Sequence, residues 1–265
     1  MSQPPEANVG IDLKPGLLRA FKGIWIFEWQ NRMTLNKMWL AACFVFTVPI
    51  LMVTTLNDGQ TGAFLRWLTS FHLFLLLPIY CLTFFGPIIR DELQADTLGF
   101  IITRPVKRHT VFILKYICVM IWTQILAAMS GGLFLGIAYL KGINTFPPAA
   151  PYFFLSQALA ILAYGALGGL FGLLSKKYMV LGVVYGFLVE WGIGSIPTNI
   201  HSLAVSHHLR TILANNEAIA VRFTWTAGSL SEAGLMVFAA TVIFLFSAAL
   251  VFNYREYHHA EEMQK

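Results

Sequence analysis

Between two long apolar runs, residues 90–115 gather much of the chemistry this chain carries. Arg90, Asp91 and Glu92 come first. Asp96 and Thr97 follow, and then Arg104, Pro105, Lys107, Arg108, His109 and Lys115. Carboxylates are favoured at a helix start by its N-terminal dipole, so Asp91 and Glu92 predict one there. Leu93, Leu98, Ile101 and Ile102 give that helix an apolar side. Pro105 cannot continue it and biases Arg104 towards extended backbone. The spacing therefore predicts a short amphipathic helix, a proline stop and a basic turn, an element suited to be gripped by a soluble partner. A plainer reading makes it a charged loop that only fixes topology. The residues alone leave both open.

The other polar groups are sparse. Glu190 is an acid inside an apolar run, followed by Trp191. A charge at mid-bilayer costs about 2.5–3.5 kcal/mol on insertion scales. Glu190 is therefore either a polar gate or dimer contact along a pathway, or the mark of a span that ends early among headgroups. His201, His207 and His208 cluster further on, and His258 and His259 lie near the end. A metal site needs three well-placed ligands with outer-shell support, so interfacial histidines are the simpler reading. Cys43, Cys81 and Cys118 each fall within an apolar run, match no metal spacing, and read as small buried apolar residues. No G-x-x-x-x-G-K-[ST] loop is present to cradle phosphates. Gly165, Gly168, Gly169 and Gly172 instead have the small-residue spacing that lets a second helix approach closely. With no Ser-His-Asp set or paired carboxylates at one depth, the chain reads as a non-enzyme without catalytic, cofactor or metal residues of its own.

What must position these groups is a set of long apolar helices. Only 12% of the 265 residues are charged and mean hydropathy is +0.66, where soluble domains carry about 25% charged residues. About 20 apolar residues cross a bilayer as a helix. The runs that qualify are 39–56, 67–89, 112–140, 152–174, 178–197 and 233–252. The third is longer than a span needs, so it either tilts or begins as a cytoplasmic helix near Val111 and enters the bilayer near Ile117. Ahead of them, Leu17–Trp29 mixes Leu17, Leu18, Phe21, Ile24, Trp25 and Phe27 with Arg19, Lys22 and Glu28, the pattern of an amphipathic interfacial helix. The fold class is thus an all-α integral membrane protein with six transmembrane helices and an N-terminal interfacial helix. Its parts are a segment 1–38, a six-helix domain 39–253 containing loops 90–110 and 198–233, and a tail 254–265. No short apolar core of a cleavable signal peptide is visible in the first 38 residues. Loop 198–233 is moderately apolar and long enough for one or two short helices on the membrane face.

Charge sets the orientation. Of the 18 lysines and arginines, all but Arg66, Lys141, Arg210 and Arg222 fall on the side of the chain that holds both termini. Positive residues accumulate on the cytoplasmic side, so both termini are expected there. The net charge of +5 is then a product of topology. Nucleic-acid binding is not expected, because the charges are spread over membrane-proximal loops instead of one face.

The order Glu92, Thr97, Pro105, Arg108, Lys115, together with this topology, resembles the type-2 ABC transporter permease family. That family has a Glu, a Gly-Thr pair, a leucine-rich stretch with Pro-x-x-Arg, and a Gly-Lys pair at this spacing. Here Asp96 and Leu114 stand in place of the two glycines. The resemblance implies a permease subunit in the inner (plasma) membrane, working as an exporter and pairing with a second copy or a paralogue among membrane lipids. It also implies a separate ATPase subunit, holding ATP and magnesium, that grips the loop as a coupling helix. Glu92, Asp96, Thr97, Pro105 and Arg108 would then be contact or shape determinants, and the helix around Glu28 a second contact. The competing reading is a membrane enzyme or assembly scaffold that uses the basic loop for docking.

Overall fold

The computed structural model describes residues 17–94, 108–193 and 202–254, and these are helical apart from short turns. Helix α1 is Leu17–Arg32 and α2 is Leu35–Thr55. The next span, Thr61–Asp91, is built from α3 (Thr61–Arg66), a π-helical segment Trp67–Leu76, α4 (Leu77–Phe85) and the start of α5 (Pro87–Gln94). Helix α6 is Arg108–Leu140 and α7 is Phe146–Leu174. After the turn at 175–177 come α8 (Tyr178–Tyr185) and a second π segment, Gly186–Ile193. Two short helices, α9 (Val205–Leu213) and α10 (Glu217–Phe223), precede α11 (Leu230–Tyr254).

Five of these helices are long and apolar enough to cross a membrane: α2, the Thr61–Asp91 span, α6, α7 and α11. The run expected at 178–197 is apolar but short, described as helix only to Ile193, and residues 194–197 lie outside the described residues. Loop 198–233 does hold the short helices expected of it. Helix α6 starts at Arg108, ahead of its apolar run. Helices α2, the second span and α7 each begin several residues ahead of their apolar runs. For α7, Pro147 and Pro148 open the first turn, where a missing N–H costs nothing.

The bundle is organised around α7, which packs against α4, α6, α9 and α11. Most of α7 is buried, whereas most of α11 is exposed. Helix α11 therefore touches the bundle through one stripe only, Ala233, Val237, Thr241, Ala248 and Phe252. Its other face exposes Leu235, Phe238, Ile243 and Phe246, as a lipid-facing helix would. The glycines of α7 are the reason the centre closes. A Cβ at Gly172 would collide with the Gly86 carbonyl, and one at Gly168 would lie 3.1 Å from the Cys81 carbonyl oxygen. The backbones meet directly there, so the packing role read from the glycine spacing holds.

Two features of this packing stand out. The π segment Trp67–Leu76 ends just before Pro78, whose ring clashes with the carbonyl four residues back and which donates no hydrogen bond. It carries His72 into the core, where the ring stacks on Phe44 at 5.5 Å and meets Phe134 edge-on at 4.8 Å. Neither ring nitrogen has a hydrogen-bond partner among the described residues. The other is in α1, where Glu28 and Arg32 turn inward while Ile26, Phe27 and Trp29 face out. The inward turn of these two charged side chains is not part of the amphipathic pattern read from the sequence. The reason is a specific set of partners.

Candidate functional site

At the α1 end of the bundle, Glu28 is the hub of a buried ionic cluster. Lys115 Nζ lies 2.9 Å from Glu28 Oε1, and Arg32 Nε lies 3.6 Å from Glu28 Oε2. All three side chains are under 10% exposed. Lys115 also donates to the Ile88 carbonyl at 3.2 Å, and Arg32 donates to the Phe84 carbonyl at 3.0 Å. Each cation sits near an aromatic ring as well, Lys115 by Phe27 and Arg32 by Phe84. Burial pushes the Arg32 guanidinium below its ordinary range, and the Glu28 carboxylate works against that shift. Three elements distant in sequence, α1, the end of the second span and α6, are thereby locked together.

More exposed contacts surround this cluster. Lys37 Nζ pairs with Asp91 at 2.9 Å and also donates to Asn31 at 3.0 Å. Arg90 donates to the Gly172 carbonyl at 3.2 Å, which caps the close crossing of α7 and the second span. Asp91 and Glu92 do not open a helix here. They lie in the second half of α5, whose first residue is Pro87, so the helix start lies earlier than their charge predicted. Glu92 and Arg108 sit at the two ends of the loop, on α5 and α6, with their side chains outside the described residues. Asp96, Thr97 and Pro105 lie outside the described residues altogether. The sixth candidate of the loop reading, Glu28, is present but has its carboxylate committed to Lys115 and Arg32.

A second site occupies the opposite, α9 end. A cleft of about 520 Å³ opens between the second span, α7, α8 and α9, lined by Phe74, Pro78, Ile79, Tyr164, Val183, Phe187 and others. Glu190 is part of its wall, on the second π segment, and is half-buried. Its Oε1 accepts from the Tyr185 hydroxyl at 3.2 Å and its Oε2 accepts from the Ser206 backbone N–H at 2.9 Å. Glu190 thus ties α8 to the start of α9. Arg210, one turn along α9, lies against the rings of Phe74 and Trp225 at 5.4 and 5.9 Å. His207 and His208 are neighbours, with ring centroids 5.3 Å apart. His201 lies outside the described residues, and no group of three metal-ligating side chains occurs among the described ones.

Lys115 belongs to the motif spacing and Glu28 was expected as a partner contact, but nothing in the sequence paired them with each other or with Arg32, and Arg210 was not singled out. The available signal for the cluster was a lysine seven residues into a helix too long for one span. For Arg210 it was an arginine among few basic residues on its side of the chain.

A bundle of long apolar helices, close-packed on a glycine stripe, is the architecture of a multi-pass membrane protein. The chain belongs to a known family of that class: residues 31–188 match the ABC-2 family transporter proteins, more than half its length. No curated protein and no solved structure matches it significantly.

Proposed function

We propose that this permease is the transmembrane subunit of an ABC exporter of the inner membrane, driven by a separate ATPase that grips the loop 90–110. The observation that carries the reading is the family match, which runs from the end of α1 through the whole loop to Leu188. The local geometry supports it. The loop leaves from α5 and returns at α6, and both helices are anchored by Arg90, Lys37–Asp91 and Lys115 to three other elements. A displacement of the loop would then move the bundle as a unit instead of bending its own hinges. In this reading both termini are cytoplasmic, the chain from Tyr178 completes a sixth crossing, and a second copy or a paralogue completes the pathway. ATP and magnesium belong to the partner ATPase. Glu28 acts through Lys115 and Arg32, holding α1 against the base of the loop, and Glu190, on the second π segment, faces the pathway.

The test is copurification in detergent with the candidate ATPase, comparing the wild type with Glu92→Arg and Thr97→Arg. Wild type is expected to bring down the ATPase and both variants to lose it while keeping their elution profile. If wild type captures no ATPase, the coupled-exporter reading falls. If the variants bind as well as wild type, the ATPase is gripped elsewhere.

A further inference from the structure

We propose that the cleft at the α9 end binds an amphiphile with an anionic head, the head on Arg210 and the apolar tail along α4 and α8. The volume of about 520 Å³ is within the range of small-molecule sites. Its polar groups are unequally committed. The carboxylate of Glu190 already accepts from Tyr185 and from the Ser206 N–H. Arg210, by contrast, has no hydrogen-bond acceptor and no carboxylate within ion-pair distance among the described residues, and its Nε is buried without a partner. A partly buried guanidinium without a counter-ion is costly. Phe74 and Trp225 hold it by their ring faces, which orients the fork without satisfying its N–H donors. What satisfies a planar fork is a carboxylate, phosphate or sulfate.

The rest of the cleft calls for a tail. From Phe74 beside Arg210 to Leu82 at the far end, the wall runs along eight residues of helix, about 12 Å of rise. Pro78, Ile79 and Val183 line it without offering a hydrogen-bond donor. A small hydrated anion would satisfy Arg210 and leave this surface unused. An uncharged hydrocarbon would do the reverse. One molecule with both parts uses the whole site.

The proposal stands on the cleft and not on ATPase coupling, so either can fail alone. Purified protein in phosphatidylcholine nanodiscs is titrated with a fluorescent polyene fatty acid, at alkaline pH where the acid is ionised. The methyl ester of that acid and inorganic phosphate are the controls. The acid is expected to bind saturably, the ester and the Arg210→Gln variant about tenfold or more weaker, which is the loss of one charge-assisted contact. Phosphate is expected not to displace the acid. Val183→Trp, which leaves Arg210 intact and fills the tail region, is expected to weaken binding as much and covers the case that Arg210→Gln does not fold. Equal binding of acid and ester, displacement of the acid by phosphate, or wild-type binding by Val183→Trp would each overturn the proposal.

Discussion

The two ends of this bundle solve the problem of burying charge in opposite ways. At the α1 end, Glu28, Arg32 and Lys115 are buried and paired as ions, and the Phe84 and Ile88 carbonyls accept from the two cations, although Arg32 Nε makes no hydrogen bond among the described residues. Beside them the helices touch backbone to backbone at Gly172 and Gly86. At the α9 end a cleft separates the same helices, and Arg210 has aromatic rings around it instead of a carboxylate. The lesson is that rigidity here is local. A closed ionic lock and bare glycine contacts make one end a fixed frame, while the other retains space and an uncommitted cation. Such a division fits a protein that receives force at one end and handles a molecule at the other.

The comparison can be broken by substitution. Glu28→Gln should have the largest effect, because it leaves two buried cations without their carboxylate, at about 3–5 kcal/mol. Thermal unfolding in detergent should show a large drop in midpoint. Adding Lys115→Met should recover part of it, since the second change removes one stranded charge. If Glu28→Gln unfolds like wild type, the cluster is not a lock.

Gly172→Ala ranks next. Its methyl group would meet the Gly86 carbonyl, and overpacking of this kind costs about 1–3 kcal/mol. The same measurement reads it, and a neutral outcome would mean the crossing can relax and is not a fixed point. Ile79→Ala should have the smallest effect, below about 1 kcal/mol, because that side chain already faces an open cleft and leaves no sealed cavity behind. A drop as large as that of Gly172→Ala would show the α9 end to be as tightly packed as the other.

Much of the architecture was legible in the sequence because hydrophobic length is a strong signal. The apolar runs at 39–56, 67–89, 112–140, 152–174 and 233–252 each correspond to a long helix, with ends that differ by up to six residues. Those errors have a cause: Thr61 and Phe146 start helices in stretches interrupted by Arg66 or by prolines, which an apolar count passes over. The glycine stripe of α7 was readable because close approach leaves one residue type. The inward turn of Glu28 was not, since its partner Lys115 is 87 residues away and nothing local distinguishes a buried acid from a solvated one. The aromatic setting of Arg210 was hidden for the same reason, Phe74 being brought to it only by the packed fold.

The π segment of the second span has a consequence for how that span keeps its register. Many of the span's buried residues come in adjacent pairs four positions apart: Phe64 and Leu65, Leu68 and Thr69, His72 and Leu73, then Tyr80 and Cys81, Phe84 and Phe85. An ordinary α-helix turns about 100° per residue, so a repeat of four overshoots each turn by about 40° and the buried row would wind around the rod. The wider π turn undershoots instead, because more residues fit into each revolution. Ten residues of it work against the drift accumulated on either side, so that α4 and α5 beyond it still present their buried row to α7. The segment is a phase corrector, and a single-residue deletion within 67–76 would rotate everything beyond it out of step.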